Sequence, residues 1–424
     1  MLALVIFLAV FFAILSVTLF EKWYNPITVF LIFWAIVFTL YSLKLEPYYD
    51  ISNTAFFAFL IQIFAFFIGG ALALKLPFSF KRKQCIDSNE ANTTVLNFPL
   101  VLFLSVVSIM VLIPDVIGVI EGLMQGMSFE DMAVNEVFVE NTTTGIRVFL
   151  KIFVMFPTTY AISAITANEL MNHQDGKTWI LFLLNIVIIG LYSLQHGARV
   201  MLIILVSSYI TAWVCRSKKT KKSRMVKFAI FSVCVLGLVV GVVFSLSRGI
   251  EKDSLLMSIY HYLSGSVPNF DYWISNFPKD LDHYTFGFTS LNGFISPIII
   301  LINATGLVKL KPELYKLASQ YVTMPEDVTP IGDSVGINAF VTHNYAFFVD
   351  GGLIGVFIGN FILAYIVANV FLKMRDGDHQ KKSLYIFLIG VLILSFTRLG
   401  FSMYFHALAL LLITFAYKKK GPKI

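Results

Sequence analysis

The chain has 424 residues, of which 58% are hydrophobic and only 13% charged, and its mean hydropathy is +0.80. Soluble globules are nearer half apolar and about a quarter charged, so these values exclude one and predict an all-α polytopic membrane protein. The net charge of +7 collects in short loops between apolar runs, where it sets orientation; it is not the basic face of a nucleic-acid binder. Cys85, Cys215 and Cys234 have no paired spacing, which predicts neither a disulfide nor a metal cluster.

Met1–Phe20 lacks a basic n-region and a small-residue cleavage pattern, so it reads as a first span rather than a signal peptide. Counting runs of roughly 20 apolar residues gives about eleven transmembrane helices (10–12), roughly over 1–20, 27–43, 53–74, 98–120, 146–166, 178–193, 200–215, 227–246, 351–372, 384–397 and 401–417. These runs are almost free of ionisable residues. Residues 1–246 form an N-terminal transmembrane bundle on this reading. Lys75 with Lys81–Lys83, the tract Arg216–Arg224, the turn with Lys373, Arg375, Lys381 and Lys382, and the tail Lys418–Lys420 all fall on one side with one parity, the cytoplasmic side. The connector 121–145, with Glu121, Glu130, Asp131, Glu136 and Glu140, then faces outward, and the N-terminus lies outside.

Residues 247–350 read as one large outward loop, with Phe286–Leu307 a re-entrant or interfacial segment. Ser254–Ser264 has apolar residues near helical spacing and predicts a surface helix. The following Gly265-Ser-Val-Pro-Asn-Phe-Asp-Tyr-Trp273 reads as a turn-rich passage. Aromatic faces beside short polar groups suit sugar rings, which makes Tyr262, Asn269, Asp271, Tyr272 and Trp273 candidate sugar contacts. Residues 351–424 supply C-terminal transmembrane helices and a basic cytoplasmic tail.

Arg147, Arg199, Arg248 and Arg398 fall at outward helix ends, where charge bias predicts few cations. A guanidinium fork matches phosphate oxygens in pairs, so these positions predict an anionic ligand handled outside. His343 has the titration range of a general base, Asp350 can orient it or act itself, and Asn344 and Tyr345 can bond sugar. Asp350 can equally cap a helix beginning at the glycines that follow it. His261, His283, Asp271 and the pair Glu130-Asp131 lack metal-ligand spacing, and no phosphate loop or dinucleotide pattern is present, so no metal or cofactor is expected.

Tyr192-Ser-Leu-Gln-His-Gly-Ala-Arg-Val-Met201 resembles the Gly-x-Arg turn of bacterial O-antigen polymerases. Ser247-Arg248-Gly249, then Tyr262-Leu-Ser-Gly265 with Pro268-Asn-Phe270, then Thr342-His-Asn-Tyr345 before Asp350-Gly-Gly-Leu-Ile-Gly355 continue the resemblance in order across most of 190–370. The resemblance implies a GT-C-like glycosyltransferase of the bacterial inner membrane, its site facing the periplasm. The implied reaction moves a growing glycan from its undecaprenyl diphosphate carrier to a hydroxyl of the next lipid-linked repeat. Arg199, Arg248 and Arg398 would hold the diphosphate, and His343 and Asp350 would be catalytic. Expected partners are the lipid-linked oligosaccharide, membrane lipids and a polysaccharide chain-length regulator. The alternatives are an O-antigen ligase that uses the same donor, or a non-enzyme flippase or transporter, which requires ionisable residues within its spans.

Overall fold

A computed structural model describes residues 1–76, 94–126, 145–196, 200–216, 226–235, 237, 255–278, 280–304, 310, 312–375 and 377–419. In chain order its helices are α1 (Leu2–Phe20), α2 (Pro26–Ser42), α3 (Asn53–Lys75), α4 (Phe98–Met124), α5 (Ile146–Asn172), α6 (Gly176–His196), α7 (Val200–Val214), α8 (Val226–Val235), α9 (Leu255–Ser264), α10 (Ser266–Ser275), α11 (Asn292–Ala304), α12 (Glu313–Thr323), α13 (Asn344–Arg375), α14 (His379–Ile393) and α15 (Tyr404–Phe415). Among the described residues six helices, α1, α3, α4, α5, α6 and α13, are long and apolar enough to cross a membrane. The protein is a mostly helical membrane protein. Two short antiparallel ribbons accompany the helices: β1 (Thr94–Leu96) pairs with β4 (Tyr417–Lys419), and β2 (Thr329–Pro330) with β3 (Gly336–Ile337).

The chain divides into two compact units, and neither follows chain order. One unit gathers Met1–Ser88, Leu256–Asp376 and Val391–Ala407; the other gathers Asn89–Leu255, Gly377–Gly390 and Leu408–Ile424. The first unit is built on α3 against α13. Gly69 makes this possible, because a Cβ there would stand 2.2 Å from the Phe361 carbonyl oxygen. Without a side chain the two backbones pack at small-residue distance, the usual way membrane helices gain contact when lipid is as apolar as leucine. Beside them α1 exposes Leu4, Phe7, Phe11 and Ile14, a lipid-facing surface on a helix that is apolar all round.

The region 255–343 is more helical than its composition suggests. The passage around Gly265–Trp273 forms α10 rather than a turn, since Pro268 falls in its first turn, where its missing N–H is not needed. The apolar stretch inside Phe286–Leu307 forms α11, whose 13 residues are fewer than the roughly 20 a span requires. Helix α13 starts at Asn344, not at the glycines. Its helical dihedrals break at Gly351 and at Gly352 (φ 61°), a left-handed position that glycine adopts without a Cβ clash.

In the second unit α5 carries a π turn at Lys151–Met155. Pro157 explains it: the ring would clash with the carbonyl four residues back, at Phe153, and widening the turn relieves the clash. Asp175 caps α6, taking the Thr178 N–H at 2.9 Å and its hydroxyl at 2.6 Å, and these bonds hold the Asp175 carboxyl below its usual range. The basic end of this unit is tied by polar contacts. Tyr417 donates its hydroxyl to Glu169 at 2.9 Å, and Asn168 Nδ2 donates to Ser383 Oγ at 2.8 Å. Contrary to the near absence of ionisable groups expected in the spans, Asp115, Lys151 and Glu169 all lie within candidate membrane helices.

Candidate functional site

The pocket of the first unit is built where the chain leaves helix twice. One wall is 339–343, the approach to α13; the other is 394–403, the break between α14 and α15. Main chain joins them: the N–H groups of Val341, Thr342 and His343 donate to the carbonyls of Thr397, Phe396 and Ser395 at 2.8, 3.2 and 2.7 Å. These carbonyls belong to a 3₁₀ turn, Leu394–Phe396, and its following residue, where the helix ladder has ended and acceptors need partners. The expected runs 384–397 and 401–417 meet here, and Arg398 lies between the two 3₁₀ turns that separate α14 from α15.

Thr289, Tyr321, Thr342, Tyr345, Arg398 and Ser402 supply the polar lining, with Pro325, Val341 and Leu399 among the apolar lining residues. The Arg398 side chain is 21% exposed and donates Nη1 to Glu326 at 3.2 Å, leaving most of a five-donor fork for another acceptor. Thr342 is wholly buried, its hydroxyl has no partner among the described residues, and its backbone sits at φ 63°. A β-branched residue in the left-handed region carries strain of about 1–3 kcal/mol, and such strain gathers at functional sites. An unpaired buried hydroxyl costs about as much again. Two costs at one residue beside a cation mark this pocket as the candidate site. Burial raises the Tyr321 phenol above its ordinary range, so it faces the pocket as a neutral hydroxyl.

Asp350 stands behind the pocket. Its carboxylate accepts the Thr285 hydroxyl at 2.5 Å, the N–H groups of Thr289 and Ser290 at 3.0 Å each, and the Ser290 hydroxyl. It thereby pins the turn 285–290, which carries Phe286 (φ 48°) and Gly287 (φ 94°) and presents Thr289 to the pocket. The cap expected of Asp350 thus serves a neighbouring loop and not its own helix.

His343 is fully buried. Its Nε2 lies 2.8 Å from Asn360 Oδ1 and its Nδ1 3.3 Å from the Ser395 carbonyl. Asn360 Nδ2 donates to Asn344 Oδ1 at 2.8 Å and to the Val356 carbonyl at 2.9 Å, which fixes its Oδ1 as acceptor and so makes His343 Nε2 the donor. Asn344 Nδ2 donates onward to Gln62 Oε1 at 2.6 Å. Phe30, Trp34 and Phe347 enclose the imidazole, with ring centroids 5.4 to 5.8 Å away. Neither His343 nor Asn344 lines the pocket, and each is held in a buried polar chain among aromatic rings.

The proposed sugar contacts separate. Tyr345 lines the pocket and packs edge-on to Trp273 at 6.2 Å. Tyr262 stacks on Phe340 at 4.9 Å, and Asn269 is buried and donates to the Phe340 carbonyl at 3.1 Å. Asp271 accepts the Ser52 N–H at 2.9 Å and its hydroxyl, joining α10 to the start of α3. Tyr272 remains exposed, and the Trp273 indole N–H is buried without a partner among the described residues. Arg199 and Arg248 lie outside the described residues. Sequence reasoning missed Thr342, Thr289, Ser402 and Glu326, because nothing in their types announces a strained dihedral or a tertiary ion pair.

Among the described residues no group of three or more His, Cys, Asp or Glu side chains could hold a metal ion. The pocket offers hydroxyl and guanidinium donors instead, a set suited to phosphate or sugar oxygens. No family model, no curated protein and no solved structure matches this chain, so these residues alone carry the functional argument.

Proposed function

We propose that the chain is a membrane glycosyltransferase that polymerises undecaprenyl-diphosphate-linked repeat units of a surface polysaccharide on the outward face of the bacterial inner membrane. The observation that carries this reading is the Arg398 guanidinium beside the unpartnered Thr342 hydroxyl. Breaking a glycosyl–diphosphate bond leaves negative charge on the diphosphate, and a fixed cation that tightens on that charge lowers the barrier. The order of Gly-Ala-Arg199, Ser-Arg248-Gly and Thr-His343-Asn-Tyr345 along the chain supports the same reading. In it Arg398 binds the diphosphate, and Tyr345 meets sugar. His343 and Asp350 act as positioning residues: the first ties the approach of α13 to the 394–397 turn, and the second holds Thr289 against the pocket.

Deleting the gene and separating the surface polysaccharide on a gel tests the proposal. A ladder that collapses to core plus one repeat supports a polymerase. Loss of every repeat would point to the ligase or the flippase. The transporter alternative has one observation in its favour, the buried Lys151 and Glu169 and the half-buried Asp115 within candidate spans of the second unit, since ionisable groups there commonly line a path. Full-length ladders in the deletion strain would remove both enzyme readings.

A further inference from the structure

A cationic cluster in the second unit is not used by the site described above. Asp115, the residue after Pro114 in α4, accepts from three directions. Arg147 Nη2 reaches Oδ1, while Lys151 Nζ at 2.9 Å and Gln195 Nε2 at 3.1 Å reach Oδ2. Arg147 and Lys151 are four residues apart at the start of α5, so one helix face presents both. The π turn begins at Lys151, and such turns often accompany functional sites.

Among the described residues two cations face one carboxylate, a charge of +1, and the Lys151 and Asp115 side chains are only 9% and 15% exposed. An excess charge at that burial is costly, and a second anion would relieve it. Donors remain available for one. Among the described residues Arg147 and Lys151 have Asp115 as their partner, and the Arg147 side chain is still 37% exposed. The surroundings say what kind of anion. Both α4 and α5 are candidate membrane helices, and Ile113 and Ile117 on the first and Ile146 and Phe149 on the second are exposed apolar side chains. A cation left partly exposed near the end of a membrane helix meets lipid headgroups, so the anion these observations favour is a lipid phosphate and not a soluble ion.

We propose that Arg147 and Lys151 form a binding site for the phosphate headgroup of an anionic lipid, with Asp115 and Gln195 holding the two cations in place. The site stands independently of the polymerase reading. Its test uses the full chain purified in detergent, with phosphatidylglycerol, phosphatidylcholine and inorganic phosphate as probes and native mass spectrometry as readout. Phosphatidylglycerol should be retained in preference to phosphatidylcholine. Arg147→Gln should weaken that preference about tenfold, the scale of one charge-assisted contact. Asp115→Asn should strengthen it, because removing the carboxylate leaves both cations to the lipid. The opposed signs keep the test informative if either variant is less stable, since general destabilisation would move both the same way. Equal retention of the two lipids by the unaltered chain would overturn the proposal, as would displacement of phosphatidylglycerol by millimolar inorganic phosphate, which would mark a free-phosphate site instead.

Discussion

Thr342 and Arg398 pair as a parallel β-bridge, so the strained threonine and the pocket cation are placed relative to each other by main chain and not by side-chain chance. The bridge fixes the arginine's Cα, and the Nη1 contact to Glu326 at 3.2 Å orients its guanidinium. Pre-positioning of that kind is what stabilisation of developing charge requires.

Arg398→Lys keeps the charge and loses the fork. Polymerisation of purified lipid-linked repeats should fall by roughly 30- to 1000-fold, corresponding to about 2–4 kcal/mol of lost transition-state contact. Protein amount in the membrane should be unchanged. Near wild-type ladders from this variant would reduce Arg398 to a partner of Glu326.

Thr342 separates chemistry from stability. Thr342→Val keeps the β-branch and the strain but removes an unpaired hydroxyl, so thermal stability should hold or rise by about 1 kcal/mol while polymerisation drops. A fully active valine variant would show that the hydroxyl meets no substrate.

His343→Ala should lower the amount of folded protein as well as activity. It leaves Asn360 Oδ1 without its donor and opens a cavity among Phe30, Trp34 and Phe347, a combined cost of about 2–4 kcal/mol. The measurement is thermal unfolding of the purified variant in detergent. Normal stability with abolished chain extension would instead restore His343 as a proton-transfer residue.

Asp350→Asn replaces an acceptor of four hydrogen bonds with a side chain that must turn a donor toward some of them. Stability should fall by about 2–3 kcal/mol and the turn 285–290 should become more accessible to protease. Unaltered cleavage there would mean that the carboxylate does not hold Thr289 in place.

Orientation has its own test. Reporters fused after Lys222 and Lys381 should report cytoplasm, and those within 265–282 should report the outer side. An inward report from 265–282 would separate the pocket from any externally delivered lipid-linked sugar.

Hydropathy makes the six long helices legible, because a span announces itself through length and composition alone. It misreads α10, where Gly265, Pro268 and Asn269 suggest turns one by one although the proline sits in the one part of a helix that accepts it. The site is legible in its charge and in little else. Arg398 stands out as a misplaced cation, and Tyr345 as an aromatic near it, but Thr342 becomes visible only through a dihedral angle. His343 and Asp350 attract notice as chemistry-bearing types; what they touch comes from contacts across 52 and 65 positions of sequence, which no local pattern encodes.

The close crossing of α3 and α13 at Gly69 and Phe361 has a consequence for biosynthesis. Asn344 follows Lys75 by 269 positions, which at ribosomal speeds of roughly 5–20 residues per second is on the order of 15–50 s. Throughout that interval α3 resides in the bilayer with its glycine face uncovered and the Gln62 amide without Asn344. The nascent chain must therefore be tolerated, or escorted, as a half-made bundle until its partner helix emerges.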